Sequence, residues 1–76
     1  GENSDAQFYL GCIYQMKKDY TNAIAMFDKA KQERKYFLKS LYKIGEIYFH
    51  LEEYDNAIEV LEQGLVNLKE KNDEST

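Results

Sequence analysis

From Phe8 onward the apolar residues fall three and four positions apart, the spacing that gathers side chains on one face of a helix. Phe8, Leu10, Ile13 and Tyr14 form the first such stripe, ahead of it Ser4 or Asp5 can accept an unpaired first-turn N–H, and Lys17 and Lys18 suit the negative end of the dipole. A first helix is therefore expected to end near Lys18. Asp19, Tyr20, Thr21 and Asn22 read as a short polar turn in which Tyr20 packs back, and Ala23, Ile24, Phe27 and Ala30 give a second helix one apolar face. A third helix is expected from Phe37, carrying Leu38, Leu41, Tyr42, Ile44, Ile47, Tyr48 and Leu51. A fourth begins near Asp55 and carries Ala57, Ile58, Leu61, Leu65 and Leu68. Residues 71–76 hold no apolar side chain and are expected to fray.

The stripes are written twice. Gly11, Ile13, Tyr14, Tyr20, Asn22, Ala23 and Ile24 recur 34 residues later as Gly45, Ile47, Tyr48, Tyr54, Asn56, Ala57 and Ile58, with no gap. This fixes the organisation as a tail over 1–4, one repeat over 5–36, a second over 37–70 and a tail over 71–76. Glycine inside a helix costs about 1 kcal/mol against alanine. Its return at the same place, with Ala23 and Ala30 or Ala57 and Gly64 on the partner helix, points to two helices crossing closely.

Leu10, Gly11, Tyr14, Ala23, Phe27 and Ala30, then Ile44, Gly45, Tyr48, Ala57, Leu61 and Gly64, make the chain resemble the tetratricopeptide repeat family. That resemblance implies an all-α fold of two helix-turn-helix hairpins stacked as a short right-handed solenoid. The sequence departs from the family pattern where Gln7 and Leu41 replace an early large aromatic, and where Lys35 and Lys69 replace the closing proline. Residues 29–35 are nearly all good helix formers, so the second and third helices have the option of fusing into one rod.

Composition narrows what the chain does. A length of 76 residues allows one small domain, and 43% hydrophobic residues make it globular without any apolar run long enough to span a membrane. Ten basic against fourteen acidic residues argue against a nucleic-acid partner. The single Cys12 cannot form an internal disulfide, which favours a cytoplasmic setting, and the start at Gly1 rather than Met fits a piece of a longer protein. No cofactor motif is present. Cys12 and His50 lie in different repeats, His50 lacks the second histidine of a zinc helix, and the glycines sit on helices rather than in a phosphate loop. Catalysis is therefore not expected, and Glu52–Glu53 and Asp73–Glu74 read as solvated charges.

In the family the first helix of each repeat lines a concave, ligand-binding side. The resemblance places Asp5, Phe8, Cys12 and Gln15 there from the first copy, and Lys39, Tyr42, Lys43, Glu46, Phe49 and His50 from the second. Phe8, Tyr42 and Phe49 would bring aromatic surface among charges of both signs, as a protein-binding patch requires, or would bury against core or neighbour instead. One subclass clamps a C-terminal carboxylate, and Lys39 and Lys43 stand where its third repeat supplies two cations. Tyr9 occupies the place of its preceding asparagine, and in the alternative register Phe8, Cys12 and Lys43 replace Lys, Asn and Asn, so solvated lysines are the preferred reading. The expected role is a non-enzymatic module holding a peptide or helix of another protein. The alternative is a segment of a longer solenoid that packs on neighbouring repeats or on a second copy. Val60 and Val66 make the fourth helix more apolar than a solvent-facing end should be, which favours self-association.

Overall fold

The computed structural model describes residues 3–74, and within them four helices and no strand. They are α1 (Ser4–Met16), α2 (Tyr20–Ala30), α3 (Arg34–His50) and α4 (Tyr54–Glu74). α1 packs mainly on α2 and α3 on α4, while α3 also lies against α2 and more lightly against α1. The result is an all-α stack of two helical hairpins in a slab of 42 × 31 × 13 Å.

Each hairpin turn closes by the same hydrogen bonds. Asp19 N–H donates to Tyr14 C=O at 2.8 Å and Lys18 N–H to Gln15 C=O at 2.9 Å; in the second copy Glu53 N–H donates to Tyr48 C=O and Glu52 N–H to Phe49 C=O. This pair of bonds is the Schellman motif, which needs one left-handed residue. Lys18 (φ 64°) and Glu52 (φ 61°) supply it. The first helix thus stops at Met16 rather than near Lys18, because the αL residue turns the chain there. The next residue is already the N-cap: Asp19 accepts from Asn22 N–H, and α2 begins at Tyr20 inside the expected polar turn. The Asn22 side chain donates to Asp19 and that of Asn56 to Glu53, again 34 residues apart.

At the N-terminus the cap is Asn3, whose side chain accepts from Ala6 N–H, rather than Ser4 or Asp5. α2 and α3 remain separate helices, not a fused rod. Residues 31–33 turn, and Glu33 is extended at φ −91°, ψ 133°. Local propensity favours helix there; the contacts of α3 with α1 outweigh it. α3 begins three residues before Phe37, so Tyr36 falls inside it. α4 runs on to Glu74 through much of the stretch expected to fray. Gly1, Glu2, Ser75 and Thr76, which belong to the expected tails, lie outside the described residues.

Phe27, Ile47, Ala23 and Ala30 are fully buried, and Phe8, Tyr36, Leu41, Ile44 and Ala57 nearly so. The helix crossing at Gly11 is close, but the atoms opposite it belong to Phe27 rather than to Ala23 or Ala30. An added Cβ would lie 2.6 Å from the Phe27 ring, and at Gly45 the same atom would lie 2.6 Å from Leu61.

Candidate functional site

α1 and α3 pack against each other, and of the residues expected in a groove Asp5, Phe8 and Gln15 of α1 each contact α3. Three ties join the helices. The Asp5 carboxylate accepts hydrogen bonds from the Tyr36 hydroxyl and from the Lys35 ammonium, the latter at 3.1 Å. Phe8 stacks on Tyr36 with ring centroids 4.7 Å apart and planes 17° from parallel. The Gln15 side-chain amide donates to Glu46 at 2.8 Å, and Lys43 lies 3.9 Å from the same carboxylate oxygen.

These ties shift the ionisable groups in predictable directions. The Tyr36 hydroxyl, then Lys35, holds the Asp5 carboxyl below the usual carboxylate range. Donation to Asp5 raises the Tyr36 phenol, and Asp5 likewise raises Lys35.

Phe8 does not line an open surface: it is 8% exposed, because α3 lands on it and brings Tyr36 over its ring. Tyr42 and Phe49 remain exposed, each 60%. With Glu46 between them they stand at i, i+4 and i+7 on one side of α3. Phe49 touches the rings of His50 and Tyr54 edge-on. Cys12, Gln15, Lys43 and Glu46 are half-buried, whereas Asp5, Lys39 and His50 are exposed. The Lys39 ammonium rests 5.7 Å from the centre of the Tyr36 ring. Lys39 and Lys43 therefore have different neighbours, an aromatic face and a carboxylate, and do not form one cationic pair.

A further apolar surface lies at the α3–α4 end, where Tyr42 of the expected groove joins residues expected only in the helix stripes. Leu38, Leu41, Tyr42, Leu61, Gly64, Leu65 and Leu68 line an open, almost wholly apolar cavity of about 340 Å³. A second depression of about 670 Å³ on α4 combines Phe37, Ile58 and Val66 with Asp55, Glu59, Glu62 and Glu70. The excess of apolar residues on the fourth helix is the sequence signal for the first of these. Among the described residues no group of three His, Cys, Asp or Glu side chains is placed to hold a metal ion. Among the described residues no helix is long and apolar enough to cross a membrane.

Comparison with known proteins agrees with this architecture. The family model described as anaphase-promoting complex, cyclosome, subunit 3 matches residues 1–64. Neutrophil cytosol factor 2 from Homo sapiens is 31% identical over 62 residues, and its counterpart from Bos taurus 32% over 62. Each alignment covers 82% of this chain but 12% of the relative, so the chain spans about an eighth of the length of those proteins. No solved structure matches. With its 34-residue register, two helical hairpins and a match over residues 1–64, the chain belongs to this tetratricopeptide-type repeat family, anaphase-promoting complex, cyclosome, subunit 3.

Proposed function

We propose that the chain is a non-enzymatic protein-interaction module that holds a peptide or helix of a partner protein along the α1–α3 seam. The observation that carries this reading is the pair Tyr42 and Phe49, each 60% exposed and flanking the Gln15–Glu46–Lys43 bridge. Exposed aromatics beside satisfied polar groups are the composition of an interaction patch, in which aromatic anchors carry most of the binding energy. Phe8 supports the seam from beneath, and Asp5 with Lys35 closes one end of it. The family's description as a complex subunit supports a protein partner, and the word cytosol in the relatives' name supports a cytoplasmic setting. A peptide array probed with the parent chain and with Tyr42→Ala/Phe49→Ala tests the reading. Captured peptides should lose roughly tenfold or more in affinity for the double variant; unchanged capture would refute the seam as the site.

A second reading rests on a different observation, the apolar surface at both ends of the stack. Leu10 and Ile13 are exposed at one end and Leu61, Leu65 and Leu68 at the other. These faces suit neighbouring repeats or self-association.

A further inference from the structure

The 34-residue register assigns a counterpart to every residue of the interface between the two hairpins. In that interface Phe8, Phe27 and Ala30 of α1 and α2 receive Tyr36, Ile44 and Ile47 of α3 in one buried cluster. Advanced by one repeat, the receiving residues become Tyr42, Leu61 and Gly64, all of which line the open apolar cavity at the α3–α4 end. Moved back by one repeat, Ile44 and Ile47 become Leu10 and Ile13 of α1. Ile44 and Ile47 are 3% and 0% exposed, whereas Leu10 and Ile13 are 43% and 51% exposed. The counterpart of Tyr36 is Glu2, outside the described residues, so the chain carries the aliphatic part of both halves of an interface it already makes internally, one exposed on α1 and the other lining the cavity at the α3–α4 end.

We infer that a second copy of this chain seats its α1 on the α3–α4 end of the first, head to tail, repeating the register of the internal interface. This rests on the end-face reading; the contact also covers Tyr42 and Phe49, so stacking and binding of a partner peptide at the α1–α3 seam compete for those two rings. Leu10 and Ile13 of the incoming copy take the places beside Leu61 and Gly64 that Ile44 and Ile47 take beside Phe27 and Ala30. The same shift replaces the Gln15–Glu46 hydrogen bond by a contact between Phe49 of one copy and Cys12 of the next. An apolar ring against a thiol suits that place, since no polar group is left without a partner. The contact is heterologous: its two sides differ, so each added copy leaves the same two unlike ends free and the assembly extends as a polar row.

The polarity is testable by mixing variants. Ile13→Glu spoils the α1 end and leaves the α3–α4 end intact; Leu65→Glu does the reverse, and both positions are more than half exposed in the free chain. Sedimentation of the parent should show association that increases with concentration. Each variant alone should self-associate about tenfold or more weakly, because its stack would bury a carboxylate in an apolar seat. An equimolar mixture should recover association but stop at a one-to-one dimer. In oxidising buffer, Cys12→Ser/Phe49→Cys mixed with the parent chain should give a disulfide between the variant's introduced thiol and Cys12 of the parent. A parent that stays monomeric at all concentrations sinks the head-to-tail inference, while packing of these faces on neighbouring repeats stands. If the parent associates but the mixture recovers no dimer, or like-with-like disulfides predominate, the head-to-tail register is wrong while the end-face reading stands.

Discussion

Replacing Gly11 with alanine adds one methyl group at the tightest point between α1 and α2. The new carbon would stand 2.6, 2.7 and 2.9 Å from three atoms of the Phe27 ring, about 1 Å inside the roughly 3.5–4.0 Å optimum for two carbons. Phe27 is fully buried, with Phe8 at a ring-centroid distance of 5.4 Å, so the ring has no open space to enter. The helices must then separate, and overpacking of this kind costs about 1–3 kcal/mol. Alanine returns about 1 kcal/mol of helix propensity, leaving a net loss of up to roughly 2 kcal/mol. Gly45 is the internal control. Its added carbon would meet Leu61 at 2.6 Å, but Leu61 is 39% exposed and can swing its methyl groups toward solvent. Gly45→Ala should therefore stay within about 0.5 kcal/mol of the parent, since the propensity gain offsets the lost Leu61 packing. In a domain of this size 1 kcal/mol moves the midpoint by about 4–8 °C, so thermal circular dichroism resolves the two variants. A Gly11→Ala melt at or above the parent's, or an equal fall for Gly45→Ala, would refute the packing argument.

The remaining expectations concern single groups. Asp5 has a depressed folded-state pKa, so the stability it supplies is full above the ordinary carboxylate value near 4 and is lost as pH falls through the lower, folded value. Urea midpoints measured in acid should fall less steeply for Asp5→Asn than for the parent; identical slopes would count against the tie to Tyr36 and Lys35. The fully buried Ser40 hydroxyl makes no hydrogen bond among the described residues, so Ser40→Ala should raise stability by up to about 1 kcal/mol, read from the same melts. Lys18→Gly and Glu52→Gly remove a left-handed strain of about 1–2 kcal/mol and add about 0.5–1 kcal/mol of chain entropy, so each should raise the melting temperature slightly.

The period and the two hairpins are readable because they rest on spacing, and helical spacing survives whatever the neighbours do. The turns are harder to read. A Schellman turn is usually announced by glycine at its αL residue, and here Lys18 and Glu52 hold that place, so the apolar pattern alone ends the first helix two residues late. The break at 31–33 is spelled in helix-forming residues; what stops α2 is the pull of Asp5 on Lys35 and Tyr36 and of Phe8 on the Tyr36 ring, contacts some 30 residues apart in sequence. Tyr36 escapes notice for the same reason, since it falls just before the expected start of α3. Phe8 shows the limit of a stripe: periodicity places it on the side of α1 that meets α3, but cannot say that a second ring covers it. Tyr42, its counterpart one repeat on, stays open because no further helix lies on it within the described residues.

Recognition of another protein through the α1–α3 seam is best tested by following amide and side-chain NMR signals of the 76-residue chain during titration with a peptide selected on the array. At a concentration low enough to keep the chain monomeric, the largest shifts should fall on Cys12, Gln15, Tyr42, Glu46 and Phe49, with little change at Glu59 and Glu62 on α4. Shifts confined to α4, with the Tyr42 and Phe49 signals unmoved at saturation, would contradict the seam as the binding site.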